Sequence, residues 1–210
     1  MKNTLFASLL GLLLLVPGLT QAANGLYASP PPPGSAFVRV LNLGAAPVEV
    51  QLSGKSKPQK VNNSQLGGYL YITPGNQTLT VDKAILDLSL AAESATTVIY
   101  DGKVLKPIAD TYSMDPNKVM VAFYNLTDKP LALKTLDGKH AIVDSVAQNQ
   151  MGTRLVNEIK IGFAAYNGEQ DVATFAEQFL KKGGGYSYVA YAQGGQVRTL
   201  SLSNSFDSLK

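Results

Sequence analysis

The chain of 210 residues contains no cysteine, no tryptophan and a single histidine. Without thiols there is no disulfide, no thiolate metal site and no cysteine nucleophile, and one imidazole cannot furnish a multi-histidine metal centre. Charge is also sparse and balanced. Eighteen Lys and Arg face fifteen Asp and Glu, and loss of Lys2 with a cleaved leader leaves a net charge near +2. That lacks the concentrated basic face needed to neutralise phosphates, so no nucleic-acid partner is expected. Asp82, Asp87, Glu93 and Asp101 are scattered rather than grouped for calcium. Neither a Walker loop nor a dinucleotide fingerprint is present, and Gly183-Gly184-Gly185 after Lys181-Lys182 opens no helix, so it reads as a turn. No cofactor and no metal are expected.

What is present begins with a leader. Lys2 precedes an apolar run over residues 5–16, which ends at Pro17-Gly18 and reaches the small-residue context Thr20-Gln21-Ala22-Ala23. This pattern predicts a signal peptide over residues 1–23, too short an apolar run for a membrane span, and export to the periplasm. An exported fold without disulfides rests on burial and hydrogen bonding. No later segment is apolar for long enough to cross a bilayer.

The mature part carries an internal repeat. Residues 36–55, AFVRVLNLGAAPVEVQLSGK, overlay residues 119–139, VMVAFYNLTDKPLALKTLDGK, at an offset of 83. Val38 falls on Val121, Val40 on Phe123, Asn42 on Asn125, Leu43 on Leu126, Pro47 on Pro130 and Val50 on Leu133. One further residue brings Gly54 onto Gly138 and Lys55 onto Lys139. Alternation puts Phe37, Arg39 and Leu41 on one face of the first strand and Val38 and Val40 on the other. Ser53-Gly54-Lys55 and Asp137-Gly138-Lys139 read as hairpin tips. More weakly, residues 69–72 are answered by 159–163, residues 86–90 by Phe179-Leu180, and residues 96–100 by 186–191.

The expected fold is all-β: two tandem antiparallel β-sandwich, Ig-like domains at 24–110 and 118–210, joined by a linker at 111–117. Pro30 to Pro33 predict a stiff extended lead-in, with Gly34-Ser35 as the joint into the first strand. Between 171 and 182 the residues Val172, Phe175, Ala176, Phe179 and Leu180 stand at helical spacing, whereas the repeat argues for strand. Strand or mixed structure is expected there.

A search for chemistry finds little. Asp137-Gly138-Lys139-His140 has the Asp-x-x-His form of SGNH esterases and acetyltransferases, and Asp207-Ser208-Leu209 resembles part of their nucleophile block. Phe206 replaces the glycine of that block, the serine follows the histidine instead of preceding it, and turn chemistry explains Asp137 and Gly138. No catalytic residue is therefore assigned. Lys55, Lys57 and Lys60 are the candidate surface for an anionic polymer or a partner, against the plainer reading of a solvated turn. Tyr186, Tyr188 and Tyr191 are candidates for sugar stacking, against the reading of a sandwich strand with Tyr191 on the opposite face.

The residues that carry the repeat also carry a resemblance. Leu26-Tyr27-Ala28-Ser29-Pro30 and the run from Pro33 to Asn42, placed just after a leader, resemble the mature N-terminus of the alginate O-acetylation family AlgF. Residues 121–139, VAFYNLTDKPLALKTLDGK, resemble the second half of that family. The resemblance implies a periplasmic, non-catalytic adaptor required for exopolysaccharide O-acetylation. It would bridge a membrane-bound O-acyltransferase, which exports the acetyl group, and SGNH-type acetyltransferase proteins, which place it on the polymer. Alginate and cellulose both remain open as the polymer, and a polysaccharide-binding module of the same machinery is the alternative reading.

Overall fold

The structure is a computed structural model that describes residues 31–113 and 115–207. The leader, Pro30, Met114 and Ser208 lie outside the described residues. Nine strands form the first unit: β1 (Ala36–Asn42), β2 (Val48–Leu52), β3 (Gln59–Val61), β4 (Gln65–Leu66), β5 (Tyr69–Ile72), β6 (Gly75–Val81), β7 (Ala84–Leu90), β8 (Ala95–Tyr100) and β9 (Leu105–Asp110). The second unit contains β10 (Val119–Leu126), β11 (Leu131–Thr135), β12 (Ala141–Val146), β13 (Gln150–Val156), β14 (Ile159–Ile161), β15 (Phe163–Asn167), β16 (Gln170–Thr174), β17 (Gln178–Leu180), β18 (Gly185–Gln193) and β19 (Gln196–Ser203). A last strand, β20 (Phe206–Asp207), follows. Among the described residues there is no helix.

Each unit is a sandwich, and the two share a topology. In the first, β3-β2-β6-β7 faces a sheet in which β1 lies antiparallel to β4 and β5 and parallel to β8, with β9 beyond. In the second, β12-β11-β15-β16 faces β13-β10-β18-β19, where β10 is again antiparallel to one neighbour and parallel to the other. Val38, Val40, Leu52, Leu79 and Val98 fill the first core; Val121, Phe123, Leu133, Phe163 and Tyr188 fill the second. Positive φ at Gly54 (76°) and Gly138 (71°) forms the two equivalent hairpin tips, a conformation that glycine adopts without a Cβ penalty.

The repeat extends to side-chain bonding. Asn42 donates from Nδ2 to the carbonyls of Ala46 (2.8 Å) and Val61 (3.1 Å), and its Oδ1 accepts from the Gly44 amide (2.9 Å). Asn125 does the same with Lys129 (2.7 Å), Val146 (2.8 Å) and Thr127 (3.0 Å). Both are fully buried. These asparagines therefore brace the break from within, beyond the turn preference that their sequence position suggests.

Two of the weaker correspondences differ, whereas β8 and β18 match in pairing parallel to β1 and β10. The counterpart of β5 is β13, not residues 159–163; β14 instead pairs with β17 as a small ribbon. The counterpart of β7 is β16, and residues 171–182 form strand rather than one helix. At the lead-in, the Ser35 amide and hydroxyl both bond the Pro32 carbonyl (3.2 and 2.7 Å) and Gly34 turns at φ 75°, the joint expected there.

The two units pack sheet against sheet. Leu41, Ile99 and Ile108 of the first meet Ala122, Tyr124, Val189 and Leu202 of the second in a third apolar cluster. This explains why all seven residues of β1 and the first seven of β10 are buried: each strand has a core on one face and the other unit on its second. The C-terminal strand β20 crosses back and adds to the outer edge of β5, in parallel, although its position in sequence assigns it to the second domain.

Candidate functional site

The densest group of functional side chains lies at this sheet-to-sheet interface. Alternation forces Arg39 out of the first core, into the second unit. Its Nε donates to Thr97 Oγ1 (2.9 Å), and one terminal nitrogen donates to Asn204 Oδ1 (2.9 Å). The other donates to Tyr124 Oη (2.7 Å), Asp110 Oδ2 (3.1 Å) and Ser187 Oγ (3.3 Å). Asp110 Oδ2 also accepts from Tyr69 Oη (2.5 Å) and, in a short bond, from Thr97. Ser187 donates onward to Asn204 (2.7 Å), and the guanidinium lies 4.0 Å from the centre of the Tyr69 ring.

The Arg39 and Asp110 side chains are both 0% exposed. Burial alone would lower the pKa of Arg39, but Tyr124, Asp110 and Tyr69 more than offset it and hold the guanidinium above its ordinary value. Burial likewise pushes the hydroxyls of Tyr69 and Tyr124 far above theirs. Four members come from the first unit and three from the second. The geometry therefore joins the units, with the charged groups sealed away from any substrate. Beside it, Phe37, Tyr69, Tyr112 and Phe206 form an aromatic cluster with centroids 4.4–6.4 Å apart, so β20 is held by packing as well as pairing. Alternation places Arg39 between Phe37 and Leu41, and the sequence signal for its burial is that this face of β1 is otherwise apolar and that β10 is apolar on both faces along most of its length.

The three candidate lysines are separated. Lys55 is half-buried, with Nζ 3.9 Å from the centre of the Tyr71 ring, and lines a groove with Pro32, Pro33, Pro74 and Gln77. Burial lowers its pKa, against the pull of Asp207. Lys57 is exposed, and Lys60 stands exposed on β3 directly across from Glu49. Of the tyrosines, Tyr188 is buried among Phe163 and Phe175 and accepts from Gln178 (2.6 Å); Tyr191 faces the other unit. Tyr186 packs against the second core and bonds the Phe179 carbonyl (3.3 Å).

His140 is exposed at the second hairpin, where Asp137 accepts from the Thr135 hydroxyl (2.6 Å) and the Lys139 amide (3.2 Å). Those bonds draw the Asp137 carboxyl below its ordinary pKa and account for the residue as a turn former. Asp207, the neighbour of Ser208, belongs to the first unit's sheet. Among the described residues no group of three His, Asp or Glu side chains is arranged to hold a metal ion.

Comparison with known proteins bears on identity. A protein identified as "Alginate biosynthesis protein AlgF" from Azotobacter vinelandii is 33% identical over 178 residues, covering 83% of this chain and 82% of its own. Its namesake from Pseudomonas aeruginosa is 30% identical over 165 residues, covering 78% and 76%. Two solved structures, the C-terminal and N-terminal domains of AlgF from P. aeruginosa, align at 27% and 26% identity with TM-scores of 0.39 and 0.34. They cover 42% and 38% of this chain and 99% and 98% of their own. The family described as "Alginate O-acetyl transferase AlgF" matches residues 11–187, so the chain belongs to the AlgF family.

Proposed function

We propose that the chain is a non-catalytic periplasmic adaptor in alginate O-acetylation, bridging a membrane-bound O-acyltransferase and SGNH-type acetyltransferase proteins. Family membership supports alginate as the polymer, in preference to cellulose. The observation that carries the adaptor reading is the use made of the buried ionisable groups. Arg39 and Asp110 are spent on fixing two sandwiches against each other, while the lone imidazole stands exposed on a hairpin whose carboxylate is committed to its own turn. General acid–base or nucleophilic acyl transfer needs a nucleophile and base within hydrogen-bond reach, in a site that substrate can enter. Two sandwiches fixed against each other by a shared apolar cluster and a buried ion pair suit holding other proteins in register.

The test is polymer acetylation in a strain lacking the gene. Deletion is expected to abolish O-acetylation while polymer is still made, and the Ser208→Ala variant, which removes the candidate nucleophile of the Asp-Ser-Leu block, is expected to restore it fully. Unchanged acetylation on deletion overturns the adaptor role, and failure of Ser208→Ala to complement overturns the non-catalytic reading. One observation favours a second reading, polymer binding: Lys55 over Tyr71 beside the prolines pairs a cation with a ring at a surface groove. Titration with uronate oligomers that leaves the Tyr71 and Lys55 resonances unmoved removes it.

A further inference from the structure

The repeat supplies an internal template for a binding edge. In the first unit the broken strand β4–β5 pairs with β1 so that Val38 faces Leu70 and Asn42 faces Gln65. In the second, Val121 faces Arg154 and Asn125 faces Gln150. With Val38 equivalent to Val121, β13 is the counterpart of β4–β5, and Arg154 holds the place of Leu70. The two edges differ in what covers them. On β5 lies β20, with Phe206 beside Tyr69 and Asp207 beside Leu70. Tyr69 also donates its amide to the Ser205 carbonyl (2.8 Å), and Gln59 on the neighbouring edge strand β3 donates to the Asp207 carboxylate (2.8 Å). On the outer edge of β13, the side away from β10, no strand pairs among the described residues.

Two open grooves run between β12 and β13 in place of such a strand. One, about 460 Å³, is lined by Lys118, Lys139, His140 and Arg154 together with Leu155, which is 48% exposed. The other, about 510 Å³, continues from it through the shared residues Ile142 and Arg154. No Phe, Tyr or Trp ring lines either groove, so sugar rings find no broad stacking platform there. Arg154 gives one N–H to the Ala141 carbonyl (2.9 Å), Lys118 bonds Asn157 (2.8 Å) and Lys139 stands 3.9 Å from Asp137. No acidic residue lines the basic groove, while Asp144 lines the far one, so the charge runs from positive to negative along the edge.

We propose that this β12–β13 edge takes an extended, acidic segment of another protein, which adds to β13 in parallel as β20 adds to β5. In that register the residue equivalent to Asp207 lies beside Arg154. Main-chain bonds along β13 supply the affinity, and the Lys118–Arg154 cluster selects carboxylates. The proposal rests on the adaptor reading for the partner's identity alone, because the surface can be read directly.

The experiment uses the mature chain, isotopically labelled, and a synthetic octapeptide of alternating Thr and Asp, with a Thr-Lys octapeptide as control. The acidic peptide is expected to shift amides of residues 150–156 and to slow their hydrogen exchange. Affinity is expected to fall about tenfold or more in both Arg154→Glu and Leu155→Asp, since a like charge opposes the ligand. Neither side chain is buried, and an unaltered spectrum elsewhere verifies the fold. Absence of shifts on β13, equal binding by the Thr-Lys peptide, or binding unaffected by both substitutions overturns the proposal. So does a mannuronate oligomer that moves the same amides equally well, which assigns the groove to polymer, or a dimer that Arg154→Glu dissolves, which assigns it to a second copy. Acetylation in the deletion strain is read independently, so the adaptor role and this surface can fail separately.

Discussion

Replacing Arg39 with methionine keeps most of the side-chain volume and removes the cation. The carboxylate of Asp110, with no exposed side-chain surface, then remains in the interface with only the hydroxyls of Tyr69 and Thr97 and the Thr111 amide as donors. Breaking a buried pair from one side costs about 3–5 kcal/mol, because the surviving charge keeps its desolvation penalty and loses its partner. Tyr124, Ser187 and Asn204 also lose a donor, so the upper part of that range applies. Against a total stability of about 5–15 kcal/mol this is a large fraction. Urea unfolding of the mature chain, followed by circular dichroism, measures it. Adding Asp110→Asn to the methionine variant removes the stranded charge and is expected to recover about 2 kcal/mol or more as a coupling energy in the double-mutant cycle. A loss under about 1 kcal/mol for Arg39→Met, or additive singles, would refute the argument that this pair is both buried and mutually compensated.

Other expectations follow from the repeat and from the buried phenols. Asn42→Ala and Asn125→Ala each orphan two carbonyls and an amide, and are expected to cost similar amounts, about 2–4 kcal/mol in urea unfolding; a harmless change at either site contradicts the shared bracing role. A Cβ on Gly152 would meet the buried Val143 Cγ1 at 2.5 Å, so Gly152→Ala is expected to destabilise by about 1–3 kcal/mol, and an unchanged melting temperature would show that β12 gives way. Burial raises Tyr69 and Tyr124 far above the ordinary phenol value of 10.0 and pushes Tyr188 up to about 12. Their folded pKa values exceed the unfolded ones, so the stability they contribute is complete below pH 10 and is lost as pH rises toward and through 12. Phenolate absorbance should therefore show these three titrating only with unfolding; smooth ionisation of all ten tyrosines in the folded chain would contradict their burial.

Much of the architecture was legible in residues close together in the chain. Alternation in residues 36–42, the Asn-to-Pro break and the two glycine tips recur at fixed spacing, and each acts through local backbone geometry, so the duplication and the β class could be read directly. The small residues before Asn24 and the absence of cysteine likewise bear on export without any fold. Pairing of the weaker strands was not legible, because β14 and β17 are three residues each and carry too little pattern to choose a neighbour.

The candidate sites show the same division. The lysine turn was visible as composition, but whether Lys55, Lys57 and Lys60 gather depended on Tyr71 and Glu49, residues brought in by other strands. A two-residue strand such as β20 has no period of its own, and its place on β5 is set by Gly68, Gln59 and the aromatic cluster at the far end of the chain. The sequence by itself determined two copies of a sandwich, and which side chains share each face. Only the tertiary structure decided what covers those faces and edges: alternation is a local property of the backbone, whereas the burial of Arg39 and the open edge of β13 depend on contacts between residues up to 165 positions apart.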